Sequence, residues 1–101
     1  MICDNIKTGD NGILQFAKKD TVELAKKYGT PLYLFDENKI RENCKTYHNA
    51  ILKYFDSTII LYASKAASFK KMYKIVNEEN LYVDVVSSGE IYTAKKAGFP
   101  M

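Results

Sequence analysis

The sequence predicts an α/β fold assembled from parallel β-α-β units, and two observations carry that prediction. From about Asp36 onward, short apolar runs alternate with longer segments whose apolar residues recur at steps of three and four. Each change of rhythm is marked by a residue that starts or stops a helix. Strands separated by helices of this length pair in parallel through right-handed crossovers, which brings their C-terminal ends to one rim.

Residues 1–19 are polar and turn-rich (Gly9-Asp10-Asn11-Gly12), with one short strand expected at Ile13-Leu14-Gln15-Phe16. Asp20-Thr21-Val22-Glu23 has the spacing of a capping box and opens a helix to about Tyr28, stopped by Gly29. Pro31-Leu32-Tyr33-Leu34-Phe35 reads as a second strand with proline at its first position. A long helix from about Glu37 to Phe55 follows, with Ile40, Cys44, Tyr47, Ile51 and Tyr54 on one stripe.

Thr58 to Ala63 is the most apolar run of the chain and reads as a buried strand. Ser68 is a good N-cap for the next helix, whose apolar face is Phe69, Met72, Tyr73 and Val76. A strand over Leu81 to Val86 comes next. Ser87-Ser88-Gly89-Glu90 then opens a last helix that Gly98 closes, with Pro100 beyond it. Two parallel strands close no barrel, and an eight-stranded one takes about 250 residues. The sequence therefore reads as the N-terminal piece of a larger protein.

Composition narrows the function. At 47% hydrophobic and 27% charged residues the chain is an ordinary globular one. Its net charge of +3 comes from lysines scattered among acids, with Arg41 the one arginine, so no basic stripe suggests nucleic acid. Cys3, Cys44 and His48 lack metal-ligand spacing, which argues against a metal site and leaves the thiols free. Met1-Ile2-Cys3-Asp4-Asn5 carries no secretory pattern, and no run approaches the roughly 20 apolar residues of a membrane span. A cytoplasmic protein without membrane or nucleic-acid partners is expected.

Lys65 is the leading chemical candidate. Most other lysines lie on polar helix faces, as in Lys18-Lys19, Lys26-Lys27, Lys70-Lys71 and Lys95-Lys96, whereas Lys65 follows the apolar run 58–63 directly. A partly desolvated amine there has a lowered pKa and serves as a nucleophile toward a carbonyl; the bland alternative is a lysine snorkelling from a strand end. Asp84 interrupts the other apolar strand and is expected at the same rim, although acids at strand ends are also ordinary structural features. Glu90 reads first as the partner of Ser87 in a capping box. His48 reads as a solvated helix-face residue, and Tyr62 stands near the tip that carries Lys65.

Tyr62-Ala63-Ser64-Lys65-Ala66, then Met72-Tyr73-Lys74-Ile75-Val76, then Asp84-Val85-Val86-Ser87-Ser88-Gly89-Glu90-Ile91-Tyr92-Thr93-Ala94, then Ala97-Gly98-Phe99-Pro100, together resemble bacterial diaminopimelate decarboxylases of the alanine-racemase-like class. The lead-in Gly29-Thr30-Pro31-Leu32-Tyr33-Leu34-Phe35-Asp36 is similar to that family's opening. The resemblance implies the start of a (β/α)8 TIM barrel over residues 36–101. Residues 1–35 would contribute to a second, β-rich domain. It implies pyridoxal 5′-phosphate held as a Schiff base on Lys65, with Asp84 and Glu90 as acids near that cofactor. The implied reaction is decarboxylation of meso-diaminopimelate to L-lysine in a homodimer.

Ser88 stands where glycine is frequent in the family. The family's stacking histidine, Gly-rich phosphate loop, acid facing the pyridine nitrogen and late Cys and Tyr elements have no counterpart within these residues. Three alternatives stay open. One is a related decarboxylase of ornithine, arginine or a carboxylated polyamine, against which the wording of the motifs counts. Another is a non-catalytic pyridoxal-phosphate carrier, against which the strand-rich opening counts. The third is a small β-α interaction module, in which Lys65 would give no borohydride-trapped adduct.

Overall fold

The computed structural model describes residues 3–101. Met1 and Ile2, part of the stretch read for a secretory pattern, lie outside the described residues. The chain divides into two compact units between Lys39 and Ile40. Among the described residues, no helix is long and apolar enough to cross a membrane.

The first unit is built on an antiparallel sheet of three short strands in chain order, β1 (Ile6–Thr8), β2 (Leu14–Phe16) and β3 (Lys19–Asp20). The sequence predicts β2 alone. Its two partners are polar strands that alternation does not reveal, and the β2–β3 turn is formed by Ala17 and Lys18, both at positive φ. Two-residue hairpins favour Asn-Gly or Asp-Gly, so Ala-Lys gives no warning of this turn. Helix α1 (Thr21–Tyr28) follows as predicted: one Asp20 carboxylate oxygen accepts from the amides of Val22 and Glu23 at 2.8 and 3.0 Å. Gly29 ends it at φ 84°, donating its amide hydrogen to the Ala25 carbonyl.

The strand expected at Pro31–Phe35 is not formed. That segment belongs to neither sheet, and Tyr33 and Phe35 remain exposed. A β-prone sequence becomes a strand only when a neighbour takes up its backbone groups. Asp36 then starts the next helix: Oδ1 accepts from the Lys39 amide and Oδ2 from the Asn5 side-chain amide, at 3.2 and 3.1 Å. The Asn5 hydrogen bond is the main reason that the Asp36 carboxyl is held below the ordinary carboxylate range.

Helix α2 (Glu37–Leu52) ends a turn before the expected Phe55, as the amides of Tyr54 and Phe55 both fold back on the Ile51 carbonyl. Of its predicted stripe only Cys44 is buried, while Tyr47 and Tyr54 are exposed. In the second unit, β4 (Leu61–Ala63), a 3-10 turn (Ser64–Ala66), α3 (Lys70–Glu78), β5 (Tyr82–Asp84) and α4 (Ser88–Lys96) follow in order. The two strands are parallel, in register Leu61↔Tyr82, Tyr62↔Val83 and Ala63↔Asp84. Both are shorter than the apolar runs that announce them. Helix α3 starts two residues beyond Ser68, with Phe69 at the N-cap position and no side-chain cap.

The core is helix α3 seen from inside. Met72, Tyr73 and Val76 are buried with Leu81, Ala94 and Phe99, and Cys44 joins them from α2. Arg41 on α2 forms ion pairs with Glu78 and Glu79 at the C-terminal end of α3. One buried polar atom of this core, the Tyr73 hydroxyl, has no hydrogen-bond partner.

Two stability predictions follow from these contacts. Met72→Ala lowers unfolding free energy by about 2–5 kcal/mol in urea titration, while Tyr73→Phe, which deletes an unpaired hydroxyl, is neutral or stabilising by about 1 kcal/mol. Because the Asp36 pKa is depressed on folding, its stabilisation is present above the unfolded value of about 3.9. It is lost as pH falls through the lower folded value. Asp36→Asn therefore flattens the acid limb of a stability-against-pH curve.

Candidate active site

The parallel register decides what this unit exposes. Residues on a strand alternate in direction, and here the alternation is clean. Ile59, Leu61 and Ala63 are exposed along β4 and its lead-in, as are Tyr82, Asp84 and Val86 along β5. Ile60, Tyr62, Val83 and Val85 turn the other way and pack against the core. The expectation of a fully buried strand at 58–63 is thus corrected: one face is covered by α3 and its neighbours, and the other is bare. Leu61 is 57% and Tyr82 55% exposed on that bare face.

The shared rim is present. Ala63 and Asp84 are directly opposite, and Lys65 follows two residues beyond Ala63 in the 3-10 turn. Lys65 is an exposed residue. Neither Lys65 nor the Asp84 carboxylate makes a hydrogen bond or ion pair among the described residues. A free amine and a free carboxylate therefore share one strand edge.

The turn that carries Lys65 is held from both sides. The Tyr62 hydroxyl donates to the Ala67 carbonyl at 3.1 Å, and burial pushes that phenol above its ordinary pKa. Tyr62 thus serves the turn's backbone rather than the bare face. On the other side, Ser64 is fully buried, and its Oγ lies 2.9 Å from the Asp84 carbonyl and 3.0 Å from Glu90 Oε2. Sequence reasoning passed over Ser64. The signal was its parity: it continues Ile60 and Tyr62 on the inward side, where a hydroxyl must find a partner.

Glu90 departs from the simple capping box. Ser87 does cap α4, its Oγ accepting from the Glu90 amide at 3.2 Å. The Glu90 carboxylate, however, accepts from the Val86 amide at 2.8 Å, one residue before the cap, as well as from Ser64. His48 is half-buried with its Nε2 enclosed and unpaired, so the solvated helix-face reading is corrected. Glu90→Ala releases the Val86 amide; its hydrogen exchange accelerates by about tenfold or more, the loss of one charge-assisted hydrogen bond.

Residues 37–101, well over half the chain, match the family of pyridoxal-dependent decarboxylases at its pyridoxal-binding domain. Diaminopimelate decarboxylase of Bacillus methanolicus is 45% identical over 95 residues, covering 94% of this chain and 22% of that protein. The Bacillus subtilis (strain 168) enzyme of the same name is 44% identical over 94 residues, covering 93% and 21%. The chain thus spans about a fifth of the length of these curated relatives. Among solved structures, diaminopimelate decarboxylase from M. jannaschii in co-complex with L-lysine superposes with a TM-score of 0.85 at 34% identity, over 96% of this chain and 23% of that one. Motifs, strand order and relatives agree: the chain belongs to the pyridoxal-dependent decarboxylases and carries residues of their pyridoxal-binding domain.

Proposed function

We propose that the protein carrying these residues decarboxylates meso-diaminopimelate to L-lysine and carbon dioxide, with pyridoxal 5′-phosphate attached to Lys65. The observation that carries the reading is the free Lys65 amine beside the free Asp84 carboxylate on one strand rim, in a chain 45% identical to a diaminopimelate decarboxylase. The co-complex of the M. jannaschii relative with L-lysine supports lysine as a ligand of such a site.

The residues fit the cofactor in kind. An exposed amine without a competing partner is available as the nucleophile toward an aldehyde carbonyl, and the bare sheet face leaves room beside it. When bound, pyridoxal phosphate supplies an electron sink for the pair left behind as the substrate carboxylate departs. Asp84 contributes a negative charge at the rim. Glu90 orients the backbone beside the site through Val86 and Ser64. In this reading residues 36–101 begin a (β/α)8 barrel, whose further strands cover the bare face and desolvate Lys65. Residues 1–35 belong to a β-rich domain, and the working enzyme is a cytoplasmic homodimer.

Incubation with pyridoxal 5′-phosphate, borohydride reduction and peptide mapping test the attachment. The trapped label concentrates on Lys65 and is lost from that peptide in Lys65→Arg. An even spread over the fourteen lysines would defeat the reading. Reading the coding DNA past the Met101 codon and assaying the encoded protein for carbon dioxide release from meso-diaminopimelate tests the reaction. In that assay Lys65→Arg falls to background, whereas the 101 residues alone, with two strands of a barrel, release none.

A further inference from the structure

We propose that Ser64 is a positioning residue for Lys65: its buried hydroxyl fastens the Lys65 turn to the tip of β5 and to the start of α4. The inference rests on the reading of Lys65 as the attachment point and goes beyond it by naming what fixes the amine's location.

The argument begins where β4 leaves the sheet. The ladder ends at Ala63↔Asp84, and the next residues curl into a 3-10 turn closed by the Ala67 amide on the Ser64 carbonyl at 3.2 Å. A strand that curls away withdraws its backbone donors from its neighbour. At that point the Ser64 hydroxyl reaches the Asp84 carbonyl at 2.9 Å, standing in for the missing rung. The same oxygen is 3.0 Å from Glu90 Oε2, which also holds the Val86 amide at 2.8 Å.

A serine hydroxyl has one proton, so the carbonyl and the carboxylate share it. Three segments therefore converge on one side chain: the end of β4, the end of β5 and the first turn of α4. Full burial of Ser64 makes the arrangement costly to break, because a buried acceptor stripped of its donor keeps its desolvation penalty. Lys65 is the next residue along the backbone, so the direction in which the chain leaves Ser64 sets where its amine stands.

Alanine at 64 keeps the strand but removes the fastener; threonine keeps the hydroxyl. The measurement is the share of pyridoxal-phosphate label trapped on Lys65 by borohydride, relative to the other lysines of the same molecules, with far-UV circular dichroism to establish folding. In folded Ser64→Ala the Lys65 share falls at least about tenfold, the scale of one charge-assisted hydrogen bond, and Ser64→Thr restores it. Should Ser64→Ala not fold, Glu90→Gln decides: it keeps the side-chain shape and weakens the same fastening, and the Lys65 share falls with it. An unchanged share in folded Ser64→Ala, absence of rescue by folded Ser64→Thr, or, where Ser64→Ala does not fold, an unchanged share in Glu90→Gln, overturns the positioning role while leaving the attachment intact. A wild-type chain with no preference for Lys65 overturns both.

Discussion

Everything distinctive about the second unit depends on the parallel pairing of two three-residue strands. Parallel pairing sends both strand ends the same way, so a lysine after one and an acid ending the other meet at one rim. It also requires a crossover, and α3 supplies both the connection and the core, burying Met72, Tyr73 and Val76 beneath the sheet. An antiparallel arrangement of the same segments would set Lys65 and Asp84 at opposite ends. Sheets made only of parallel strands are normally covered on both faces, and here one face is apolar and open.

Polar side chains hold the backbone at this rim. Glu90 is placed by Ser87 and α4, but its carboxylate is spent on the β5 tip and on Ser64. Tyr62 grips the far side of the Lys65 turn. The two charged groups at the rim are left free because the polar work of holding the backbone is done by neighbours that face inward.

The sequence made the second unit legible because its signals were local and repeated. The Met72-Tyr73-Val76 stripe named the buried face of α3, and Ser87 and Gly98 bounded α4. The Tyr62 to Ala66 and Asp84 to Glu90 motifs carried both the family and the rim. What stayed hidden depended on partners distant in sequence. Residues Pro31–Phe35 have strand composition and no strand beside them; β1 and β3 are strands only because β2 lies between them. The Ala17-Lys18 hairpin uses residues that rarely take positive φ. Ser64 had a readable parity but no partner visible until β5 and α4 were in place.

The alternation along β4 also dictates where this gene tolerates changes in length. Residues added where the chain turns between Asn77 and Leu81 leave both the apolar stripe of α3 and the strand register as they are. One residue added or removed between Leu61 and Lys65 reverses the direction of every side chain after it. Ser64 would then be turned outward and Lys65 inward, exchanging a buried fastener for a buried charge. Length variation among natural versions of this segment should therefore collect in that turn and vanish from the five residues leading to the lysine.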